Sequence, residues 1–402
     1  MVLTILLAAL AFISLALTIW QWVLAARFPL HRRVANPSYA PAITLLKPLK
    51  GCDAETGACL RSWLQQNYAG PVQVLFGVAT ENDPVCAVVR KLITEHPKAD
   101  AQLIICAESL GPNAKVSTLA QLERLARNEI IIVSDADVHV PVDFLKEAVA
   151  PLRDSNAGLV SCFYRLANSS NEPMLLEAFG VNADFWSQVL QAQALKPLDF
   201  ALGAVMAVTQ NSLAKIGGFA ALVDYLADDY ELGNRVARSG ARLVLSTVTV
   251  DCRSAPLSWR EVWAHQLRWA RTIRVCRPGP YFLSILGNAT LWPLLLLFLG
   301  DDTLKLAWPL LPDLLLANGA VSVEVQAPWT LLVSAMCLLI RMAMGFYCER
   351  KMTDQSHLDS LWLAPIKDLL QVPVWLLAFM GNKVTWRGQR FVVRRGGRLE
   401  KV

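Results

Sequence analysis

Hydrophobic positions along the chain fall into three regimes. From Leu3 to Ala26 the side chains are apolar, interrupted only by Thr4, Ser14, Thr18 and Gln21, and the run is long enough to cross a bilayer as a helix. After it, short apolar runs alternate with segments whose apolar residues recur at helical spacing. AITLLKPL from Ala42, VQVLFGVA from Val72, AQLIICAE from Ala101, EIIIVSDAD from Glu129 and AGLVSCFY from Ala157 predict strands. SWLQQNY, PVCAVVRKLITEHP, STLAQLERLAR and VDFLKEAVAPLRD predict helices between them, the second opening at Pro84 behind Asp83. Strand and helix in turn predict an α/β fold with a doubly wound, mostly parallel sheet. Long apolar runs return at Tyr281 to Gly300, Pro328 to Phe346 and Leu358 to Gly381. Pro365, Lys367, Asp368, Gln371 and Pro373 interrupt the last, which is expected to be a broken, re-entrant or interfacial helix.

The pattern divides the chain into a transmembrane anchor at 1–26, an α/β domain at 40–255, an interfacial helix at 256–280, a membrane region of two to three helices at 281–381 and a basic tail at 382–402. Arg27, Arg32 and Arg33 follow the first apolar run instead of preceding it. That order argues for an uncleaved anchor over a signal peptide and places residue 27 onward in the cytoplasm. The tail carries seven Lys and Arg between Lys383 and Lys401, so it too is expected in the cytoplasm, against anionic headgroups. Formal net charge is only +5, and the bases gather near apolar segments instead of forming a stripe with interleaved aromatics, which argues against nucleic-acid binding. Nine cysteines, an odd number with no CxxC, read as reduced thiols without a zinc site.

Candidate chemistry starts at Ile130 to Val140, IIIVSDADVHV. Its apolar start is a strand buried on both faces, so Asp135 and Asp137 sit at the carboxyl end of that strand, where open α/β sheets bind ligands. Two hard carboxylates there suit Mg²⁺ or Mn²⁺ bridging the oxygens of a diphosphate, although an isolated D-x-D is more often turn chemistry. Asp83, in TENDPV after the second strand, should approach the same crevice and can also cap the helix behind it. Asp228 and Asp229, in YLADDYELG, precede another helix and equally answer its dipole. SWREVWAHQLRWARTIR, from Ser258 to Arg274, sets Trp259, Val262, Trp263, Gln266 and Trp269 along one side of a helix and Arg268, Arg271 and Arg274 near another, a pattern that suits the headgroup layer.

Taken in order, Asp83, Asp135 with Asp137, Asp229 and the HxxRW at His265 to Trp269 resemble the D, D, D, (Q/R)xxRW signature of membrane-bound GT-A glycosyltransferases. NDPV, GPNAKVSTL, SDADV, LADDY and TWRGQRFVVRRGG further resemble the ceramide glucosyltransferase family over essentially the whole chain. The resemblance implies an inverting hexosyltransferase that takes a UDP-sugar donor and a lipid hydroxyl acceptor and needs a divalent cation, Mg²⁺ or Mn²⁺. It implies a multi-pass protein of a bacterial inner membrane with a cytoplasmic catalytic domain. By the same resemblance Asp83 contacts uridine, Asp135 and Asp137 meet the metal and diphosphate, and Lys115 belongs with the donor-binding residues. Asp229 is then the general base, while Arg268 and Trp269 close the site beside the leaving diphosphate.

Asp228, beside Asp229, is expected to raise the pKa of the base through like-charge repulsion. Two departures from the family pattern stand out. His265 replaces the usual Gln or Arg, and the D-x-D is intact where the animal ceramide enzymes carry a weaker version. HQLRWARTIR is similar to the branch that places N-acetylglucosamine on bacteriohopanetetrol in hopanoid biosynthesis, with ceramide glucosylation from UDP-glucose as the alternative. A processive polysaccharide synthase would need more membrane helices. A catalytically silent membrane scaffold would be expected to lack Asp229 or Arg268, and both are present.

Overall fold

The computed structural model describes residues 2–34, 38–300, 329–353, 361–386 and 389–401. Part of the expected membrane region, 301–328, and the tail residue Arg387 lie outside the described residues. The chain opens with α1 (Val2–Arg27) and then alternates through β1 (Ile43–Pro48), α2 (Thr56–Leu64), β2 (Val72–Val78), α3 (Val85–Glu95), β3 (Asp100–Ile105), α4 (Ala114–Glu123) and β4 (Ile130–Ser134). It continues through β5 (Val138–His139), α5 (Phe144–Val149), β6 (Ala157–Leu166), α6 (Glu172–Phe179), a π-helical turn at Gly180–Phe185, α7 (Trp186–Leu195), β7 (Val205–Thr209), α8 (Gln210–Lys215), α9 (Asp228–Arg238) and β8 (Arg242–Cys252). The C-terminal part comprises α10 (Trp259–Cys276), α11 (Pro278–Leu283), α12 (Leu291–Leu299), α13 (Trp329–Thr353), α14 (Leu363–Phe379), β9 (Lys383–Trp386), β10 (Gln389–Val393) and β11 (Leu399–Lys401).

The α/β domain holds one eight-stranded sheet in the order β3-β2-β1-β4-β7-β6-β8-β5. The five strands expected from the sequence are all present, and β1, β2, β3 and β4 run parallel, so the mostly parallel sheet expected of a GT-A-like fold is what forms. β7, absent from that expectation, enters antiparallel between β4 and β6. Its short apolar run does not distinguish strand from buried helix, and only pairing decides. β1 and β4 are buried at every position, as strands covered on both faces must be. Alternate residues feed two cores. Leu46, Ile131 and Val133 pack with α4 and α7, whereas Leu45, Ile130 and Ile132 pack with α2, α3 and α5.

The first of those cores reaches into the apolar helices. Met344, Cys348 and Met352 of α13 belong to it, as does Ala25 of α1. α1 and α13 are long and apolar enough to cross a membrane, and α11 with its following turn makes a bent pair with α12, at 53°, that passes the same test together. α14 is shorter and runs unbroken through Pro373. Among the described residues the C-terminal part thus holds one or two candidates of spanning length beside the shorter α14. Lys351, at the end of α13, donates to the carbonyls of Ala25, Ala26 and Phe28 at 2.7–2.9 Å. The first two are carbonyls a helix end leaves without intrahelical donors and the third follows the helix, so one apolar helix caps the other.

Beside the π-helical turn lies a buried ion cluster. The Arg341 guanidinium of α13 donates to Asp368 through Nε and Nη2, both at 2.8 Å, and to Asp184 at 2.8 Å. Lys367 donates to Asp184 at 2.5 Å and Thr290 to Asp368 at 2.8 Å. Asp184 belongs to the π turn, so the irregular turn and two C-terminal helices are joined by charge-assisted bonds.

The basic tail differs from a strand of charges spread on headgroups. β9, β10 and β11 form a small antiparallel sheet whose Val384, Phe391, Val393 and Leu399 pack with Leu226. Leu226 N donates to Gly397 O at 3.0 Å and Leu399 N to Asp224 O at 2.7 Å. The alternating apolar positions of this segment give it one face to bury, and the loop before α9 covers that face.

Candidate active site

Carboxyl ends of β1, β2 and β4 open on one crevice, and most of the acidic residues expected there are found in it. Asp135 follows β4, and its main-chain N–H reaches Ala204 O at 3.2 Å across to the chain entering β7. Below it stands a residue the sequence reading left aside. Lys47 is fully buried in β1 and donates to Ser134 Oγ at 3.1 Å and to the Asp135 carbonyl. Burial lowers its pKa to about 8 against the pull of Asp137 and Asp135. A lysine in the middle of the apolar run ITLLKP was the signal available, because buried lysines occur almost only with partners.

The motif GPNAK assembles the other side. Gly111 lies so close to Val223 that a Cβ would come within 2.7 Å of it. Asn113 caps α4 by accepting from Val116 N at 3.1 Å, and its amide donates to Tyr225 O at 2.6 Å. Both contacts hold the loop that leads into Asp228 and Asp229. Lys115, in the first turn of α4 and buried, then bridges the two acidic motifs: its ammonium is 2.8 Å from Asp135 and 3.1 Å from Asp228. Burial opposes its charge, but the two carboxylates outweigh that and hold its pKa well above the ordinary lysine value.

Asp229 is half-buried at the start of α9 and accepts from its neighbour Tyr230 N at 2.8 Å. Burial, then the adjacent Asp228 charge, raise its pKa from 3.8 to about 6. The expected like-charge effect is present but second to desolvation. Gly203, just before β7, lets the carboxylate in, since a Cβ there would stand 2.8 Å from Asp229 Oδ2. Asp137 is exposed as a residue, yet protein crowds its carboxylate. That crowding and the Asp135 charge raise its pKa to about 6. Two carboxylates whose charges are crowded in this way suit a hard divalent cation. Among the described residues no group of three or more His, Cys, Asp or Glu is set to hold an ion by itself.

Asp83 stands apart from these contacts. Its carboxylate accepts from Gly51 N at 2.9 and 3.0 Å and from Val85 N at 3.0 Å, fastening the loop after β1 to the start of α3. Gly51, at φ 67°, takes the left-handed conformation that glycine allows without cost.

α10 closes the crevice. Ser258 and Glu261 form a capping box that fixes its start. Trp259 and Trp263 on its outer part are exposed, whereas Val262 and Ala270 are buried and Trp269 is half-buried. Arg268 faces inward, within electrostatic reach of Asp229, Glu177 and Asp135, and burial lowers its pKa below the usual guanidinium value. His265 stacks on Trp269 with ring centroids 4.9 Å apart. Behind them is a second residue that sequence reasoning missed: Glu177 of α6, buried, which accepts from Gln266 at 3.0 Å and lies 3.3 Å from His265 Nδ1. Its only sequence signal is a lone acid inside the apolar run MLLEAF. A recess of roughly 650 Å³ between Tyr68, Asp100 and Arg127 lies at the opposite ends of β2 and β3 and takes no part in this site.

Known proteins resemble the chain in sequence and in fold. Ceramide glucosyltransferase 1 of Caenorhabditis elegans is 24% identical over 253 residues, which covers 61% of this chain and 52% of that protein. The ceramide glucosyltransferase of Candida albicans is 37% identical over 122 residues, covering 27% of this chain and 22% of that protein. The chain thus spans about half the length of the first relative, and less of the second. A solved structure of a mannosyltransferase from Pyrobaculum calidifontis in complex with GDP-Man and Mn2+ is similar over 93% of this chain and 95% of its own, with 20% identity and a TM-score of 0.48. The family model described as glycosyl transferase family 21 matches residues 3–399, nearly the whole chain, and the protein is a glycosyltransferase of that family.

Proposed function

We propose that this glycosyltransferase moves a sugar from a UDP-sugar to the hydroxyl of a membrane lipid with inversion at the anomeric carbon. The observation that carries the reading is the Lys115 bridge. It draws the D-x-D after β4 and the Asp-Asp pair of α9 into one crevice, beside an arginine helix that leads directly to the apolar helices. The acceptor oxygen attacks the anomeric carbon as the bond from that carbon to the diphosphate breaks, and UDP leaves. Asp229 takes the acceptor proton; a pKa of about 6 leaves it ionised at neutral pH and basic enough to accept. Arg268 meets the charge that develops on the leaving diphosphate. Asp135 and Asp137 would hold Mg²⁺ or Mn²⁺, which when bound neutralises diphosphate charge. Asp83 would hold the loop over the uridine. Arg27, Arg32 and Arg33 after the first apolar helix support a cytoplasmic crevice, and the hopanoid resemblance supports a bacterial inner membrane.

The names of the relatives support glucose and ceramide as donor sugar and acceptor. HQLRWARTIR supports N-acetylglucosamine and bacteriohopanetetrol as the second reading. The test is transfer by purified protein in detergent with Mg²⁺ or Mn²⁺, crossing UDP-glucose and UDP-N-acetylglucosamine with ceramide and bacteriohopanetetrol and identifying products by mass. Glucosylceramide establishes the first reading, and N-acetylglucosaminyl bacteriohopanetetrol establishes the second. No product in any mixture, with UDP bound, removes both acceptors.

A further inference from the structure

His265 stands where related signatures carry Gln or Arg, side chains that present a hydrogen-bonding group to a ligand without ambiguity. A histidine does so only if the proton is fixed on one of its two ring nitrogens. Three observations show how this chain meets that requirement. Nδ1 of His265 is buried with no hydrogen-bond partner, yet it lies 3.3 Å from Oε1 of Glu177. The Glu177 side chain is 3% exposed, and the one donor to its carboxylate among the described residues' bonds is Gln266 Nε2 at 3.0 Å, so it has acceptor capacity left. The histidine side chain as a whole is 41% exposed and its ring is clamped against Trp269. With Nδ1 sealed, the open edge of the ring belongs to the other nitrogen.

We infer that Glu177 is a positioning residue for transfer: it draws the proton of His265 onto Nδ1 and so presents Nε2 to an oxygen of the substrate. The inference rests on the transfer reading above. A small ring rotation converts the 3.3 Å approach into a hydrogen bond, and the carboxylate makes it a strong one. The same logic orients metal-binding histidines, where a carboxylate on one ring nitrogen fixes the role of the other. Neighbouring turns of α10 bring His265 and Arg268 to one side of the helix, and Glu177 lies within electrostatic reach of that arginine too. Glu177 sits one turn before the π-helical segment, whose Asp184 is held by Arg341 and Lys367. That anchorage keeps the carboxylate from following the histidine if α10 moves.

The first test needs no turnover. Full-length protein in nanodiscs, labelled with ¹⁵N-histidine, is examined by solid-state NMR, and the H265Q spectrum identifies the His265 signals among the five histidines of the chain. The wild type should show protonated Nδ1, and E177M should lose that preference; E177Q serves if E177M folds poorly. A wild-type proton on Nε2 alone, or a pattern unchanged in both Glu177 variants, overturns the inference.

The second test is a kinetic cycle. E177M should lower kcat by about tenfold, the effect of one lost hydrogen bond in the transition state. In the H265Q background the same change should cost less than about twofold, because glutamine needs no tautomer fixed. An equal loss in both backgrounds would make Glu177 a clamp for α10 through Gln266 and overturn the positioning role. If the wild type transfers to no lipid offered, the transfer reading fails while the NMR result still decides whether Glu177 sets the histidine.

Discussion

The acidic crevice and the ion cluster around Arg341 both gather carboxylates and cations from distant elements, but their charges close differently. Around Arg341, two carboxylates, Asp184 and Asp368, meet two cations, Arg341 and Lys367, and Arg341 grips Asp368 through two donors. In the crevice, four carboxylates, Asp135, Asp137, Asp228 and Asp229, face Lys47, Lys115 and Arg268. The first cluster is complete and holds the π turn to the apolar helices. The second is left with carboxylates that hold protons too readily, Asp137 and Asp229, each with a pKa of about 6. Unbalanced negative charge beside open space is what a cation and a proton transfer require, whereas balanced charge in a sealed place is a fastening.

The largest effect that would break this contrast is expected at the proposed base. Asp229→Asn should reduce transfer by about 10²–10⁴-fold while UDP still binds by calorimetry. Wild-type turnover in that variant would remove Asp229 from the chemistry. At the fastening cluster the loss should appear in stability. Arg341→Met leaves Asp184 and Asp368 with one cation and should cost about 3–5 kcal/mol of unfolding free energy in detergent. An unchanged unfolding midpoint would show that the cluster does not hold the helices.

Gly203→Ala brings the two measures back to the crevice. Its methyl would press on the Asp229 carboxylate, so activity should fall by about 10²-fold through displacement of the base, with the unfolding midpoint nearly unchanged. Asp137→Ala should weaken the dependence of UDP-sugar binding on Mg²⁺ or Mn²⁺, read from a cation titration followed by calorimetry. An unaltered titration would count against the cation role of the D-x-D.

The smallest effect sharpens the comparison through pH. Activity should rise as Asp229 ionises near pH 6, and Asp228→Asn should move that limb to lower pH by removing the neighbouring charge. Because the folded state raises the pKa of Asp229 from 3.8, it favours the protonated form. The stabilisation from that proton is complete below about pH 4 and is lost as pH rises through 6. Asp229→Asn should therefore be slightly more stable than wild type at pH 8 and no more stable at pH 4, a difference that thermal unfolding at the two pH values would read.

Much of this design was legible before any coordinates. Hydrophobic patterning alone located the apolar first helix, the five strands and the helix that became α10, because burial on both faces of a strand or all round a helix leaves its mark residue by residue. The acidic motifs with His265, Arg268 and Trp269 carried the resemblance to the family, because several short motifs in order are far more specific than any one of them. What the linear pattern could not settle was partnership. β7 joined the sheet antiparallel, the basic tail folded over the loop before α9, and Asp83 turned to the backbone of Gly51. Lys47 beneath the D-x-D, Lys115 between two acidic motifs and Glu177 behind His265 follow from which elements meet. A sequence records the cost of burying each residue but not the neighbour that offsets it. Charge pairing acts over a few ångströms in space, between residues far apart in the chain, so only the tertiary structure decided it.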